Sequence, residues 1–139
     1  MSWLLWSLLS ALFAAGTAIL AKLGVTGVDS NLATAIRTLV VVVFAWVIVA
    51  ATYKSGELSQ VTRNGWLFLI LSGLATGLSW LCYFRALQLG PASKVAPIDK
   101  LSVVFVILLA AALLGERLSV GKVAGGAMIA AGAITLVFS

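Results

Sequence analysis

The sequence predicts an all-α integral membrane protein of about five transmembrane helices, and two observations carry that prediction. Of the 139 residues, 63% are hydrophobic and only 9% are charged, where a soluble domain carries roughly 25% charged residues. The charges also leave five long gaps: Met1 to Ala21, Thr38 to Tyr53, Asn64 to Phe84, Leu101 to Gly115 and Val123 to Ser139. Runs of this length suit the roughly 20 residues that cross about 30 Å of hydrocarbon. Little polar sequence remains to face water. Residues 1–139 therefore read as a single five-helix transmembrane domain, multi-pass in the cell (plasma) membrane.

The first span is expected over Trp3 to Leu23, closed by Gly24 and Gly27, which suit a helix C-terminus. It lacks a cationic n-region and is longer than the roughly 7–15 residues of an h-region, so it reads as a membrane helix rather than a signal peptide. Ser7, Ser10, Ala11, Ala14, Thr17, Ala18 and Ala21 fall on one side of it. Small faces of this kind let helix backbones approach closely.

Asp29 and Ser30 can cap a second span over Asn31 to Thr52. The most polar loop follows, Tyr53 to Asn64, with Lys54, Glu57 and Arg63. The third span covers Gly65 to Leu87 and is closed by Gly90-Pro91. Gly73 and Gly77 form a GxxxG helix-packing pair there, continued by Trp80 and Phe84 on the same side. Beside them runs a polar stripe of Ser72, Thr76, Ser79 and Tyr83. Such a stripe either bonds to backbone carbonyls and neighbouring helices, or lines a cavity.

A fourth span is expected over Lys94 to Leu114 and a fifth over Val120 to Phe138. Gly115 stands where a helix end favours a left-handed residue, and Ser119 can cap the last helix between Leu118 and Val123. So short a turn makes the last two spans antiparallel neighbours. Gly121, Gly125 and Gly132 lie along one packing ridge of the fifth span, with Gly126, Ala130 and Ala133 beside it. This face meets either the fourth span or a second subunit.

The most informative segment is Val95-Ala96-Pro97-Ile98-Asp99-Lys100. The uncharged remainder of that span, Leu101 to Leu114, is about 14 residues, or roughly 21 Å, too short for the hydrocarbon layer. Either the bilayer thins there, or Asp99 and Lys100 lie inside the apolar zone, facing protein or water. A Pro-interrupted helix with ionisable residues at depth points to a transporter's binding region. Adjacent helical side chains diverge by about 100°, so Asp99 is expected to find its partner in Lys22, Arg37 or Arg85. The pair serves either as a structural salt bridge with Lys snorkelling or in substrate or proton handling. Glu116, in the tight turn, is expected to pair with Arg117 or with backbone at the helix start.

The net charge of +5 is scattered over span ends rather than clustered, which argues against nucleic-acid binding. One cysteine, Cys82, and no histidine leave neither a disulfide nor a zinc or haem ligand set. No cofactor is expected. Nor does any nucleophile–base arrangement or cofactor loop suggest an enzyme.

The stretch from Gly90 to Leu136 resembles the C-terminal signature of the EamA-type branch of the drug/metabolite transporter superfamily. Gly115-Glu116-Arg117-Leu118, then Gly125 and Gly132, match that branch's turn and last helix in type and spacing. Tyr83 and Ala86-Leu87 resemble the end of its third helix. Most members carry two five-helix repeats of opposite orientation. This chain resembles the single-repeat form, one half of that inverted-repeat fold. It departs from the common pattern near Val103, where many relatives have a proline; here Pro97 comes earlier.

The resemblance implies a secondary transporter of a small metabolite, working by alternating access. A channel or a non-transporting membrane assembly factor is the alternative from a different class. The expected substrate-binding residues are Asp99, Lys100, Arg37, Trp80, Tyr83, Thr76 and Ser102. Their basic excess favours an anionic or zwitterionic solute. Asp99 and Lys100 are expected near Arg37 and the Trp80–Tyr83 end of the third span. Lys and Arg are spread over both sides, with Lys54, Arg63, Arg117 and Lys122 on one and Lys22, Arg85 and Lys94 on the other, Arg37 and Lys100 lying near the border of the latter. Orientation is then undecided by charge. A lone repeat is expected to work as a homodimer, with antiparallel insertion favoured over parallel.

Overall fold

A computed structural model describes residues 3–52 and 61–139. Lys54 and Glu57 of the polar loop lie outside the described residues. Among the described residues, every regular element is a helix: α1 Trp3–Gly24, α2 Ser30–Thr52, α3 Arg63–Leu89, α4 Ala92–Asp99, α5 Ser102–Leu113 and α6 Val120–Phe138. Taken as one segment, α4 and α5 form a 22-residue apolar stretch, Ala92–Leu113. With α1, α2, α3 and α6 they make five spans long and apolar enough to cross a membrane.

The fourth span, expected over Lys94 to Leu114 and interrupted by Pro97, differs from that expectation in its bounds. It begins earlier, after Pro91, and breaks at Lys100-Leu101. Pro97 has no N–H, so Ser93 loses the i+4 donor its carbonyl would take, and the pyrrolidine ring crowds that turn. The bonds that follow step back three residues: Lys100 N–H to the Pro97 carbonyl (3.1 Å), Leu101 to Ile98 (3.0 Å), Val103 to Lys100 (3.0 Å) and Val104 to Leu101 (2.9 Å). This is a short 3₁₀ joint between two α-helical pieces.

The chain divides into two compact units, one of residues 1–22 with 89–139 and the other of Leu23–Gln88. In the first, α4 and α5 pack on α6. The reversal between α5 and α6 follows the sequence. Gly115 takes φ +67°, a left-handed conformation that only glycine adopts freely. Glu116 N–H then reaches back to the Ala110 carbonyl at 3.2 Å. The Ser119 hydroxyl accepts from Lys122 N–H at 3.2 Å and caps α6. Gly126 is buried where α5 crosses; a Cβ there would meet Ile107 Cδ1 at 3.4 Å and Val104 Cγ2 at 4.0 Å. Two lysines close helix ends. Lys94 Nζ donates to the Val137 carbonyl at 2.8 Å, and Lys22 Nζ donates to the Gly90 carbonyl at 2.9 Å. Both meet the negative ends of helices, where a cation is favoured.

In the second unit the turn into α2 uses Gly27 at φ +77°. Asp29 Oδ1 accepts from Asn31 N–H at 2.9 Å and from Leu32 N–H at 3.1 Å, so the carboxylate caps α2. The start of α3 moves from the expected Gly65 to Arg63, because Thr62 is the cap: its hydroxyl accepts from Gly65 N–H at 3.1 Å. Gln88 Nε2 donates to the Val28 carbonyl at 2.6 Å, tying the end of α3 to the turn before α2. Val25, Ser30, Thr34, Phe84 and Leu87 are buried at this end of the unit. Leu39 to Thr52 and Trp66 to Thr76 are exposed throughout, the surface that acyl chains would cover.

Candidate functional site

The charged pair and the aromatic cluster are built in different units. In the first unit, Asp99 ends α4 and Lys100 occupies the joint. Lys100 Nζ lies 3.3 Å from Asp99 Oδ2. The expectation that neighbours diverge too far to pair is therefore corrected, and so is the partner sought in Lys22, Arg37 or Arg85. The physical reason is the joint itself. At this open end of α4 no neighbouring turn hems in Lys100, and its flexible four-carbon stem folds back across the divergence to reach the Asp99 carboxylate. Lys22 and Arg85 are engaged elsewhere, Lys22 on Gly90 and Arg85 Nη1 on Gln88 Oε1 at 3.0 Å. The pair stays partly open, Lys100 at 57% and Asp99 at 36% of side-chain exposure. Within the chain, neither group is closed off by other side chains. Ser102 opens α5 and is exposed.

In the second unit, Arg37 projects from α2, about 10 Å along the helix from Ser30. Its guanidinium carbon stands over the Trp80 ring, 4.2 Å from the centroid, and 5.5 Å from the Phe84 centroid. Trp80 and Phe84 are one helical turn apart on α3, which places both rings on the side facing Arg37. Such cation–π contacts contribute about 0.5–2 kcal/mol, more as water is withdrawn. Phe84 is 3% exposed and Tyr83 packs edge-on against it, 6.5 Å between centroids. The expected company of Arg37 with Trp80 is present. Phe84 is the added member; its only sequence signal is the i, i+4 spacing from Trp80.

Thr76 is exposed, and its hydroxyl donates to the Ser72 carbonyl at 2.9 Å. At this position the polar stripe back-bonds to its own helix, one of the two alternatives its pattern allowed. A Cβ on Gly73, Gly77, Gly125 or Gly132 would meet nothing within 4 Å, and one on Gly121 only the Ser119 hydroxyl at 3.9 Å. Within the chain, α5 lies against the neighbouring ridge at Gly126. Glu116 pairs with Lys122 at 2.9 Å rather than with Arg117, because the Ser119 cap folds the first turn of α6 back toward it.

Known proteins place this architecture. A chain from Sinorhizobium sp., described as an uncharacterized transporter in cobO 3'region, is 53% identical over 135 residues, 97% of this chain and 96% of that one. No solved structure matches the chain significantly. The family model of the EamA-like transporters matches residues 1–138. With five apolar spans, one of them broken at a charged pair, this multi-pass membrane chain belongs to the EamA-like transporter family.

Proposed function

We propose that the chain is a secondary transporter of a small anionic or zwitterionic metabolite in the plasma membrane, working by alternating access as a homodimer of single five-helix domains. The observation that carries this reading is the joint at Lys100-Leu101, which puts an approachable ion pair inside a 22-residue apolar span. A charge at the centre of a membrane helix costs about 2.5–3.5 kcal/mol on insertion scales, so a span that keeps two of them is expected to use them. Asp99 and Lys100 contact solute or relay protons, with Ser102 beside them. The homodimer is supported by the repeat count, since inverted-repeat transporters use two such bundles, and by the open glycine ridges of α3 and α6.

Counterflow in proteoliposomes tests the reading. Asp99→Asn and Lys100→Met should each reduce saturable counterflow about tenfold or more, while circular dichroism and crosslinked dimer yield stay as in the parent. Normal transport by both variants would remove the pair from the site. Steady single-channel current without saturable counterflow would make the protein a pore.

A further inference from the structure

The cations of the chain are not alike. Among the described residues, Lys22 and Lys94 bond to helix-end carbonyls, Arg85 to Gln88, Lys100 to Asp99 and Lys122 to Glu116. Arg63 and Arg117 are exposed, at the first residue of α3 and in the turn before α6. Arg37 alone combines a position within a span, partial burial and two aromatic ring faces, with no hydrogen bond or ion pair among the described residues.

A ring face offers electron density to the charge but no lone pair to the five N–H donors of a guanidinium. The Tyr83 phenol interacts with Arg37 electrostatically, yet a neutral phenol carries no counter-charge. Asp29 is the only carboxylate among the described residues of Leu23–Gln88, and its Oδ1 already accepts two α2 N–H groups. The unit thus holds a guanidinium in place and leaves its donors for something else.

We infer that Arg37 anchors the carboxylate of an aromatic or apolar carboxylic acid, with the half-buried Trp80 as the wall against which its apolar part lies. A guanidinium edge is a planar fork that meets a planar carboxylate through two parallel N–H···O bonds. A single guanidinium matches one negative charge, whereas a phosphate monoester carries nearly two at neutral pH. The rings fix the guanidinium in advance, so little side-chain entropy is lost when the acid binds. This assignment rests on the transporter reading and narrows its solute to carboxylates.

The test measures binding to the full chain in detergent, independently of transport. Thermal unfolding is followed with benzoate, phenylacetate and phenylalanine, each beside its carboxamide, and with inorganic phosphate. At least one acid should raise the unfolding temperature while its amide does not. Arg37→Gln should weaken that acid about 10- to 100-fold, the loss expected for a charge-assisted bidentate contact. Arg37→Lys, which keeps the charge without the fork, should weaken it less, and Trp80→Leu by about 2- to 5-fold. If no acid outperforms its amide, or Arg37→Gln binds as well as the parent, the assignment is wrong. Phosphate or anionic-lipid nanodiscs that abolish the acid response would reassign Arg37 to a lipid headgroup. Acid binding without counterflow would sink the transporter reading alone; counterflow without acid selectivity would sink only this one.

Discussion

Two helices carry glycine ridges, and they use them differently. On α6, Gly126 is buried and the side chains of Ile107 and Val104 on α5 fill the space that a Cβ would enter. On α3, Gly73 and Gly77 face nothing within the reach of a Cβ. The motifs look equivalent in the sequence. The difference teaches that small residues mark where a backbone can be approached, while the partner that approaches is set by the rest of the fold. For α6 that partner is α5, separated from it by only six residues that hold the Gly115 turn and the Ser119 cap. For α3 the partner is proposed to be a second copy.

Substitution at Gly126 should have the largest effect. Gly126→Leu forces a branched side chain against Ile107 and should cost about 1–3 kcal/mol, seen as a lower unfolding temperature in detergent; an unchanged temperature would mean that α5 does not rest there. Gly77→Leu should leave that temperature unchanged within about 0.5 kcal/mol but reduce dimer crosslinking in lipid. Loss of monomer stability instead would show that α3 covers this ridge within the chain. Gly73→Ala should be smallest, gaining at most about 1 kcal/mol from reduced backbone entropy, and the same assay reads its sign.

The extent to which the sequence disclosed this structure varies by the kind of force involved. Spans α1, α2 and α6 follow from runs of apolar residues and from caps such as Asp29 and Ser119, because hydropathy and local hydrogen bonds are local properties. The break in the fourth span escaped that logic. Pro97 was visible, but whether a helix kinks through a proline or divides after it depends on the i−3 bonds that replace the lost one. The ion pair of Asp99 with Lys100 was hidden because the angular step between neighbours says nothing of how far a long lysine stem can fold back. Phe84 was hidden because an aromatic residue on a membrane helix looks alike whether it meets lipid or Arg37. Glu116 found Lys122 rather than its neighbour Arg117 because the cap geometry, not sequence distance, decides which amine comes near.

The joint also has an electrical side. Lys100 lies about a third of the way along Ala92–Leu113, so in the proposed transporter it would stand partway through the field of an energised membrane. While Asp99 and Lys100 remain paired they form a dipole of no net charge, and a small displacement of the joint along the membrane normal draws almost no work from the potential. Separated, each charge would feel its own share, roughly a third of the 2.3 kcal/mol that one charge exchanges on crossing 100 mV. In the proposed transporter a closed pair would insulate the fourth span from membrane voltage, and an open one would couple the span to it.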